Sequence, residues 1–370
     1  MTDAHPGRDK ARNESLDVLR GVAILVVIAF HVSKIFQPAA WLVGVASFGN
    51  QGVQLFFLIS AMTMALMWEQ RRNEPQRQRK FYIRRFFRIA PLFWAAIAFY
   101  TVWNDMQLSS LAQGDFTFWE IALSALFLHG FSPDAINLVV PGGWSIAVEM
   151  NFYAVFPLLV HRKTSPFGIL LVALVSYLLL GVLATGLIQH FFAPPPIFLY
   201  YCLLTQFPIF PIGIFLYKVT MGGESIRLRA LLVIVALWFS VAFAGKYCFS
   251  VETRPFFWLE VALLALLVFV TVQRRWHERV LGLMGSLSYS MYLAHFAIID
   301  IARMCIAAPA RDGTFQYIAA LVVVLAVTMA VAKISGVTFE AWSSAAARRL
   351  IARLSPTAPS AASATSGTVT

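Results

Sequence analysis

An arginine and a histidine interrupt the first long apolar run of the chain, LDVLRGVAILVVIAFHV at residues 16–32. Arg20 and His31 are eleven positions apart, so on an α-helix they share one face and lie about 16 Å apart along its axis. Arg20 is close enough to the apolar boundary for its long side chain to reach the aqueous surface. His31 lies too deep for that and needs either a partner or a water-filled cavity. An imidazole so placed is suited to proton transfer, whereas a hydrogen-bonded core histidine is the structural alternative.

A carboxylate is expected near the depth of His31. The stretch PGGWSIAVEMNFYAVFPLL predicts a helix that begins near Trp144, which puts Glu149 roughly 8 Å in at 1.5 Å per residue. Counting back from the end of the first helix near Phe36 places His31 at a similar depth. Glu149 and His31 are therefore predicted to pair, with Tyr153 on the same stripe of the helix as Glu149. The alternative is a structural glutamate whose buried carboxylate has its polar partner on a neighbouring helix.

A late apolar segment, GSLSYSMYLAHFAIID, adds a second histidine. Ser288 and His295 are seven positions apart and therefore share a helix face. His295 is expected at mid-depth or beyond, in the same layer as His31. Either a contact with a substrate or a hydrogen bond between helices would explain it.

Paired arginines mark the start of the third apolar run, in RKFYIRRFFRIAPLFW. Arg85 and Arg88 are three positions apart on one side of a helix, and paired guanidinium groups suit bidentate binding of phosphate. Anionic lipid headgroups explain the preceding basic stretch, from Arg71 to Lys80. They explain Arg88 less well, because it lies inside the apolar boundary. We therefore expect a phosphorylated ligand to dock here.

Composition identifies the class of protein. Of 370 residues, 59% are hydrophobic and 13% are charged, and the apolar runs are long enough, at about 20 residues each, to cross a bilayer. The net charge of +11 comes from short basic clusters between these runs, a pattern typical of membrane topology rather than of nucleic-acid binding. Cys202, Cys248 and Cys305 show no metal-ligand spacing, so neither a metal site nor a disulfide framework is expected.

The expected fold is an all-α bundle of about ten transmembrane helices. The predicted spans are 16–36, 50–68, 86–103, 144–160, 166–188, 198–217, 230–249, 256–273, 281–304 and 315–340. A further stretch, FWEIALSALFLHGF at 118–131, is short for a crossing and carries Glu120 and His129. We expect it to be re-entrant or interfacial.

The basic clusters predict the orientation of this bundle. With ten crossings they all fall on one side, which the positive-inside rule assigns to the cytoplasm together with both termini. The clusters are Arg8, Lys10 and Arg12; Arg71 to Arg85; Arg162 and Lys163; Lys218 to Arg229; Arg274 to Arg279; and Arg348, Arg349 and Arg353. Residues 1–15 are then a cytoplasmic segment, 16–340 the membrane domain, and 341–370 a cytoplasmic, largely disordered tail.

These motifs together resemble those of membrane-bound acyltransferase family 3, the O-acetyltransferase-like integral membrane proteins of bacteria. The similarity runs from about residue 15 to residue 340 and rests on five motifs in order. They are RGVAILVVIAFH, GVQLFFLISAMTMAL, FYIRRFFRIAPLFW, GGWSIAVEMNFYAVFPLL and LGLMGSLSYSMYLAH. One position departs from the pattern, because Ser60-Ala61 stands where the family usually has Ser-Gly.

The resemblance implies transfer of an acyl group, usually acetyl, from cytoplasmic acyl-CoA to a hydroxyl of a sugar or related acceptor. It implies His31 as the catalytic histidine, and Arg85 with Arg88 as the residues that hold the phosphates of CoA. Acyl-CoA would be a co-substrate, with no permanently bound cofactor, and the protein would lie in the bacterial inner membrane.

Helix geometry fits this chemistry. A CoA held by Arg85 and Arg88, with Arg20 beside them, could extend its pantetheine arm over about 16 Å to His31. Neutral His31 would then act as general base on the acceptor hydroxyl, oriented by Glu149. A covalent acyl-histidine is the other route. The acceptor side would be lined by Trp144, Tyr153, Ser288 and His295.

Two other classes of protein stay in consideration. A proton-coupled transporter of a glycan or small solute would also use buried histidines and a buried glutamate, but the chain shows no internal repeat and the paired arginines count against it. A non-catalytic membrane scaffold would explain the apolar helices, yet it would not explain ionisable groups at matched depth. Release of CoA that depends on an acceptor separates the enzyme from the transporter.

Overall fold

The computed structural model describes residues 6–106, 117–160, 164–249, 257–306 and 313–354, and the side chains within them except those of 6–13 and 245–249. The described residues form helices joined by short loops and contain no strand, which confirms the predicted all-α fold. In chain order the helices are α1 (Pro6–Phe36), α2 (Ala40–Ser47), α3 (Gly52–Gln70), α4 (Arg77–Asp105), α5 (Phe118–Ala125), α6 (Gly143–Leu159), α7 (Pro166–Ser176), α8 (Thr185–Phe192), α9 (Pro196–Tyr201), α10 (Leu203–Gln206), α11 (Ile209–Thr220), α12 (Leu228–Phe249), α13 (Phe257–Arg274), α14 (Arg279–Ser286), α15 (Ser288–Cys305), α16 (Thr314–Ser335) and α17 (Ala341–Arg353). Outside the description lie Arg162, Lys163, the tail from 355 onward, and the side chains of Arg8, Lys10, Arg12 and Cys248.

Seven helical stretches of the described chain are long and apolar enough to cross a membrane. They are Glu14–Phe36, Ala40–Gln70, Arg77–Asp105, Pro166–Phe192, Leu203–Thr220, Phe257–Arg274 and Thr314–Arg353. The pair α14 and α15, bent by 82° at its junction, makes an eighth if it is one broken span. The chain is therefore a multi-pass membrane protein.

The other two predicted spans are α6 and α12. α6 has 17 residues, about 26 Å of helix at 1.5 Å per residue, against a hydrocarbon core of about 30 Å. α12 has 22 residues, of which the stretch with described side chains, Leu228–Ala244, is a shorter apolar helix. The structure thus supports seven or eight of the ten predicted spans by length and composition.

The stretch 118–131 does not form a crossing helix. α5 has eight residues, which is about 12 Å of helix. It begins with a capping box, in which the Thr117 backbone N–H donates to Glu120 (2.7 Å) and the Trp119 N–H donates to the Thr117 hydroxyl (3.2 Å). A turn follows, and it brings Nε2 of buried His129 within 3.0 Å of the Gly143 carbonyl oxygen.

The first part of the predicted tail, residues 341–353, forms α17; disorder of the rest lies outside the described residues and stays a prediction. This helix continues α16 through a π-helical turn at Gly336–Glu340. It packs on α4, where the Ser343 hydroxyl donates to the Phe87 carbonyl oxygen. The sequence AWSSAAARRLIAR is rich in alanine and arginine, two of the strongest helix formers, and this propensity outweighs its two serines.

Several loops of the chain meet at one end of the bundle, which we call the basic end. Glu14 lies 3.4 Å from the His277 ring, the Ser15 hydroxyl donates to the Trp276 carbonyl (3.0 Å), and the Gln76 amide donates to the Leu354 carbonyl (3.2 Å). These contacts bring together the start of α1, the loops after α3 and α13, and the end of α17. They share one end, as the charge pattern predicts; that this end is cytoplasmic stays a prediction.

Two glycines let α1 and α14 approach each other closely. A Cβ atom at Gly21 would lie 2.0 Å from the Leu281 carbonyl oxygen, and one at Gly285 would lie 1.7 Å from the Asp17 carbonyl oxygen. Neither distance is compatible with a side chain. The contact holds α14 against the part of α1 that carries Arg20, at the basic end.

Candidate active site

Two adjoining cavities open into the bundle from the basic end. The outer one, here the basin, is lined by six arginines: Arg20, Arg71, Arg77, Arg84, Arg85 and Arg88. The inner one, here the cleft, is narrower and is lined by Ser60, Ser145, Glu149, Tyr153, Ser288 and Tyr292, among others. Arg20, Arg85 and Arg88 line both cavities and so stand at their junction.

The three junction arginines differ in how they are held. Arg20 donates to Asp17 (2.6 Å) and to the Thr63 hydroxyl (2.5 Å), which fixes its guanidinium group. Arg85 is buried, with its guanidinium 5.2 Å from the centre of the Tyr153 ring and no carboxylate partner among the described residues. Arg88 is exposed and makes no hydrogen bond to a described residue. Positive charge at Arg85 and Arg88 is therefore available to an anionic ligand.

Sequence reasoning missed three of the basin arginines: Arg71 and Arg77 fall in the stretch assigned to lipid headgroups, and Arg84 was not singled out. Arg77 lies over the Trp68 ring, 3.7 Å from its centre, and donates to the Trp68 carbonyl (2.5 Å). Helical spacing is a signal that could have found two of them, since positions 77, 84 and 88 follow the i, i+7, i+11 pattern of one helix face.

Glu74 neutralises one of these charges. Its carboxylate accepts two hydrogen bonds from Arg84, one of them at 2.9 Å, and lies 3.9 Å from the Lys80 ammonium. Partial burial would raise the pKa of Glu74, but the positive charges of Arg84 and Lys80 hold it below its ordinary value. Glu74 is therefore ionised at neutral pH, and Arg84 is already paired.

Glu149 lies in the cleft and not against His31. Its carboxylate accepts hydrogen bonds from the Ser60 hydroxyl and from the Tyr153 hydroxyl (2.5 Å). The predicted pair of Glu149 and His31 is thus not the arrangement found. Equal depth places two residues in one layer without making them neighbours: α1 packs on α3, α14, α15 and α16, whereas α6 packs on α4.

His31 pairs instead with His295. Nδ1 of His31 lies 2.9 Å from the Val27 carbonyl oxygen, and Nδ1 of His295 lies 2.6 Å from the Tyr292 carbonyl oxygen. Because each Nδ1 faces a carbonyl acceptor, it carries the ring proton, and each Nε2 is left with a lone pair. Nε2 of His295 lies 3.4 Å from Nδ1 of His31. No described residue hydrogen-bonds to Nε2 of His31, which is half-buried, while His295 is fully buried.

One layer of side chains separates the cleft from the histidine pair. Tyr292 lines the cleft, and its ring centre is 5.6 Å from that of His295. The Tyr292 hydroxyl lies 2.9 Å from the Ser145 hydroxyl and donates to the Gly142 carbonyl (3.0 Å). Gly142 has φ +76°, and a Cβ there would lie 2.8 Å from the Tyr292 hydroxyl, so both its backbone conformation and the space require glycine.

The remaining predicted contacts divide between two places. Tyr153 and Ser288 line the cleft together with the junction arginines. Trp144 is not among the cleft residues; its ring stacks on Tyr201, with centres 4.5 Å apart. Of the residues predicted for the acceptor side, two thus lie in the cleft, His295 lies against His31, and Trp144 lies in aromatic packing.

Ala61 faces a neighbouring helix and not the cleft. It is fully buried, and a Cβ at Gly213 of α11 would lie 2.7 Å from the Ala61 methyl and 2.5 Å from the Leu58 carbonyl oxygen. Because Gly213 has no side chain, α11 leaves room for the methyl group of Ala61, the residue that differs from the family pattern. Ser60, one position earlier, is the residue that reaches the cleft.

The described residues contain no group of three His, Cys, Asp or Glu side chains placed to hold a metal ion. The ionisable side chains that line the basin and the cleft are the arginines, several tyrosines, and the carboxylates of Asp17 and Glu149.

Residues 13–333 match the model of acyltransferase family 3, which is described as an acyltransferase domain. The chain belongs to this acyltransferase family. The match contains every residue of the basin and the cleft named above, as well as both histidines.

Similar proteins carry related names. The chain is 26% identical over 351 residues to the peptidoglycan O-acetyltransferase OatA of Listeria monocytogenes, covering 87% of this chain and 54% of that one. It is 24% identical over 320 residues to the O-acetyltransferase OatA of Staphylococcus aureus, covering 77% and 50%. It is 25% identical over 344 residues to the putative membrane-bound transacylase BcsY of Komagataeibacter xylinus, covering 85% and 80%. The chain spans about half the length of the OatA proteins. No solved structure matches it.

Proposed function

We propose that this protein is an O-acyltransferase that takes an acyl group, most simply acetyl, from acyl-CoA bound at the basic end. The observation that carries the proposal is the shared position of Arg20, Arg85 and Arg88 at the junction of the basin and the cleft. A CoA molecule has phosphates at one end and a thioester at the other. Arginines at the mouth of a narrow polar cleft suit such an elongated anion, because they can hold the phosphates while the arm enters.

The cleft suits the pantetheine arm. Its wall carries the Ser60 and Tyr153 hydroxyls, both bonded to the Glu149 carboxylate. Because both hydroxyl protons point at Glu149, the two oxygens can accept hydrogen bonds from the amide N–H groups of the arm. Glu149 thus acts by holding the cleft wall, and the thioester carbonyl is delivered toward Tyr292 and the histidine pair behind it.

His31 is the general base of this reaction. Its Nε2 takes the proton of the acceptor hydroxyl as the oxygen attacks the thioester carbonyl carbon, and it returns that proton to the departing CoA sulfur. The proton on Nδ1 stays with the Val27 carbonyl oxygen throughout. Nε2 of His295 faces the same Nδ1 proton and stabilises the imidazolium while it exists. Tyr292 must move aside for the thioester to reach His31.

The acceptor is a hydroxyl of a cell-surface or exported carbohydrate, in a protein of the bacterial inner membrane with the basic end in the cytoplasm. The name of one relative, a peptidoglycan O-acetyltransferase, supports this acceptor class, and that of another, a putative membrane-bound transacylase, supports acyl transfer at a membrane. The positive-inside rule supports the orientation.

Replacing His31 tests the proposal. His31→Ala should reduce acyl transfer from labelled acetyl-CoA to surface glycans by a factor of about 10² to 10⁴, the usual contribution of a general base. The matched control is His190→Ala, an exposed histidine at the end of α8, which should keep full activity. Transfer by a folded His31→Ala protein at the wild-type rate would contradict the mechanism, and movement of a glycan without CoA release would indicate a transporter.

A further inference from the structure

A second pair of cavities lies along α4, outside the basin and the cleft. The first, at the basic end between α4 and α17, is lined by Arg88, Glu340, Ser343 and Arg348, among others. The second lies between α4, α15 and α16, and its lining is almost wholly apolar. Of the residues that line these two cavities, the acyl-transfer mechanism uses only Arg88.

These two cavities form one groove, here the α4 groove. Leu92 lines both of them. Glu340 of the first accepts a hydrogen bond from Ser290, which lies 3.3 Å from the Ser335 hydroxyl, and both serines line the second. The α4 groove therefore has a polar half at the basic end and an apolar half that continues into the bundle.

In the polar half, the side chains of Arg88 and Arg348 are available to bind a ligand. Arg84 also lines it but is paired with Glu74, and Glu340 is engaged by Ser290. Arg88 and Arg348 are exposed, and neither has a hydrogen bond or ion pair with a described residue. Two such guanidinium groups match a phosphate diester.

The apolar half has the dimensions of a lipid chain. Small side chains open it between the helices, at Ala95 and Ala96 of α4 and at Ala294 of α15. On α4 the apolar half runs from Leu92 to Tyr100, about 12 Å at 1.5 Å per residue, and Arg88 lies about 6 Å farther along the same helix. One leaflet of a bilayer has a hydrocarbon depth of about 15 Å, half of the 30 Å core.

We propose that the α4 groove binds one anionic phospholipid, with its phosphate at Arg88 and Arg348 and one acyl chain along the alanines. Basic pockets between helices at the cytoplasmic face are a known form of anionic-lipid recognition, and the membrane is the source that presents a phosphate and a chain together. Arg88 also lines the basin and the cleft, so the bound lipid lies against a junction arginine. This inference does not depend on acyl transfer.

Native mass spectrometry of the full chain, released from detergent micelles containing phosphatidylglycerol or phosphatidylcholine with the same acyl chains, tests the proposal. One phosphatidylglycerol should be retained with about tenfold preference, and Arg348→Gln should reduce its affinity about tenfold, as expected for one charge-assisted contact. The neighbouring Arg349→Gln, which does not line the groove, should have no effect.

The chain half is tested separately. Ala96→Leu should fill the apolar half and reduce retention of phosphatidylglycerol severalfold. Ala98 is exposed on the same helix but does not line the groove, so Ala98→Leu should leave retention unchanged. If Ala96→Leu fails to fold, Ala294→Leu takes its place. Equal retention of the two lipids, or no difference between variants and controls, would overturn the proposal. The proposal would also be overturned if glycerol phosphate displaced phosphatidylglycerol and neither Ala96→Leu nor Ala294→Leu changed retention, because the site would then bind soluble phosphates.

Discussion

Backbone carbonyls orient the two histidines of the site. Val27 and Tyr292 each lie on the same helix as the histidine they bond, four and three residues before it. The ring orientation therefore follows from local helix geometry and needs no carboxylate. In the proposed mechanism, the contact between the rings makes His295 the group that stabilises a protonated His31, because a neutral imidazole nitrogen is a good acceptor for the Nδ1 proton.

Replacing His295 should therefore lower turnover without changing the apparent affinity for the donor. His295→Ala removes the acceptor that faces Nδ1 of His31, so we expect kcat to fall by about 10- to 100-fold, less than the loss of the base itself. The KM for acetyl-CoA should stay within about twofold, because His295 lies outside the cleft and the donor contacts are intact.

His295→Gln distinguishes this role from simple packing, since its amide oxygen can still accept a hydrogen bond. It should recover part of kcat and change the pH dependence of kcat. If alanine and glutamine variants lost activity equally, with an unchanged pH profile, the role assigned to His295 would be wrong.

Helix contacts decide where the basin lies. The basin floor carries Asp17, Arg20 and Gly285, which belong to α1 and α14. Their close approach at Gly285 places the Asp17–Arg20 ion pair beside the junction. The shape of the proposed phosphate site thus depends on the distance between α1 and α14 as well as on the arginines themselves.

Gly285→Ala should disturb both stability and donor binding. A methyl group 1.7 Å from the Asp17 carbonyl oxygen must push α14 away from α1, at a cost of about 1–3 kcal/mol. We expect a lower melting temperature in detergent and a raised KM for acetyl-CoA. Gly282→Ala is the control on the same helix, because a Cβ there meets nothing within 4 Å. Equal melting temperatures for the two variants would show that the close contact is absent.

At the scale of the whole molecule, the charge pattern and the fold agree on which segments lie together. The start of α1, the loops after α3 and α13 and the end of α17 all meet at the basic end. The opposite end joins Ala39 to Thr314 through a 2.9 Å hydrogen bond. If the basic end is cytoplasmic, every polar element of the donor site faces the compartment that supplies acyl-CoA.

Single-cysteine labelling tests this orientation. In a chain whose natural cysteines are replaced by serine, Asn73→Cys after α3 should react with a membrane-impermeant maleimide only in permeabilised cells. Ala193→Cys after α8 should react in intact cells, since both residues are exposed and the ten-span topology puts them on opposite sides. Labelling of both positions in intact cells, or the reverse pattern, would contradict the topology.

Sequence reasoning predicted the membrane class and the all-α fold, and it singled out three of the six basin arginines, because hydropathy and helical periodicity are local properties. Arg85 and Arg88 lie where a phosphate site was expected, and Arg20 joins them. The partner of His31 could not be read in the same way. Depth along a helix follows from counting residues, whereas the neighbour across a helix pair depends on how the helices are arranged, and this arrangement places His295 rather than Glu149 beside it.

The affinity of the protein for CoA tests the central claim most directly, namely that the junction arginines hold the phosphates of the donor. Each charge-assisted contact contributes about 1.5–3 kcal/mol. Isothermal titration of CoA into the purified chain should therefore show affinity reduced at least about tenfold for Arg85→Ala and again for Arg88→Ala. Arg72→Ala, an exposed arginine that lines neither the basin nor the cleft, should bind CoA as the wild type does. Unchanged affinity in the folded Arg85→Ala, Arg88→Ala double variant would contradict the account.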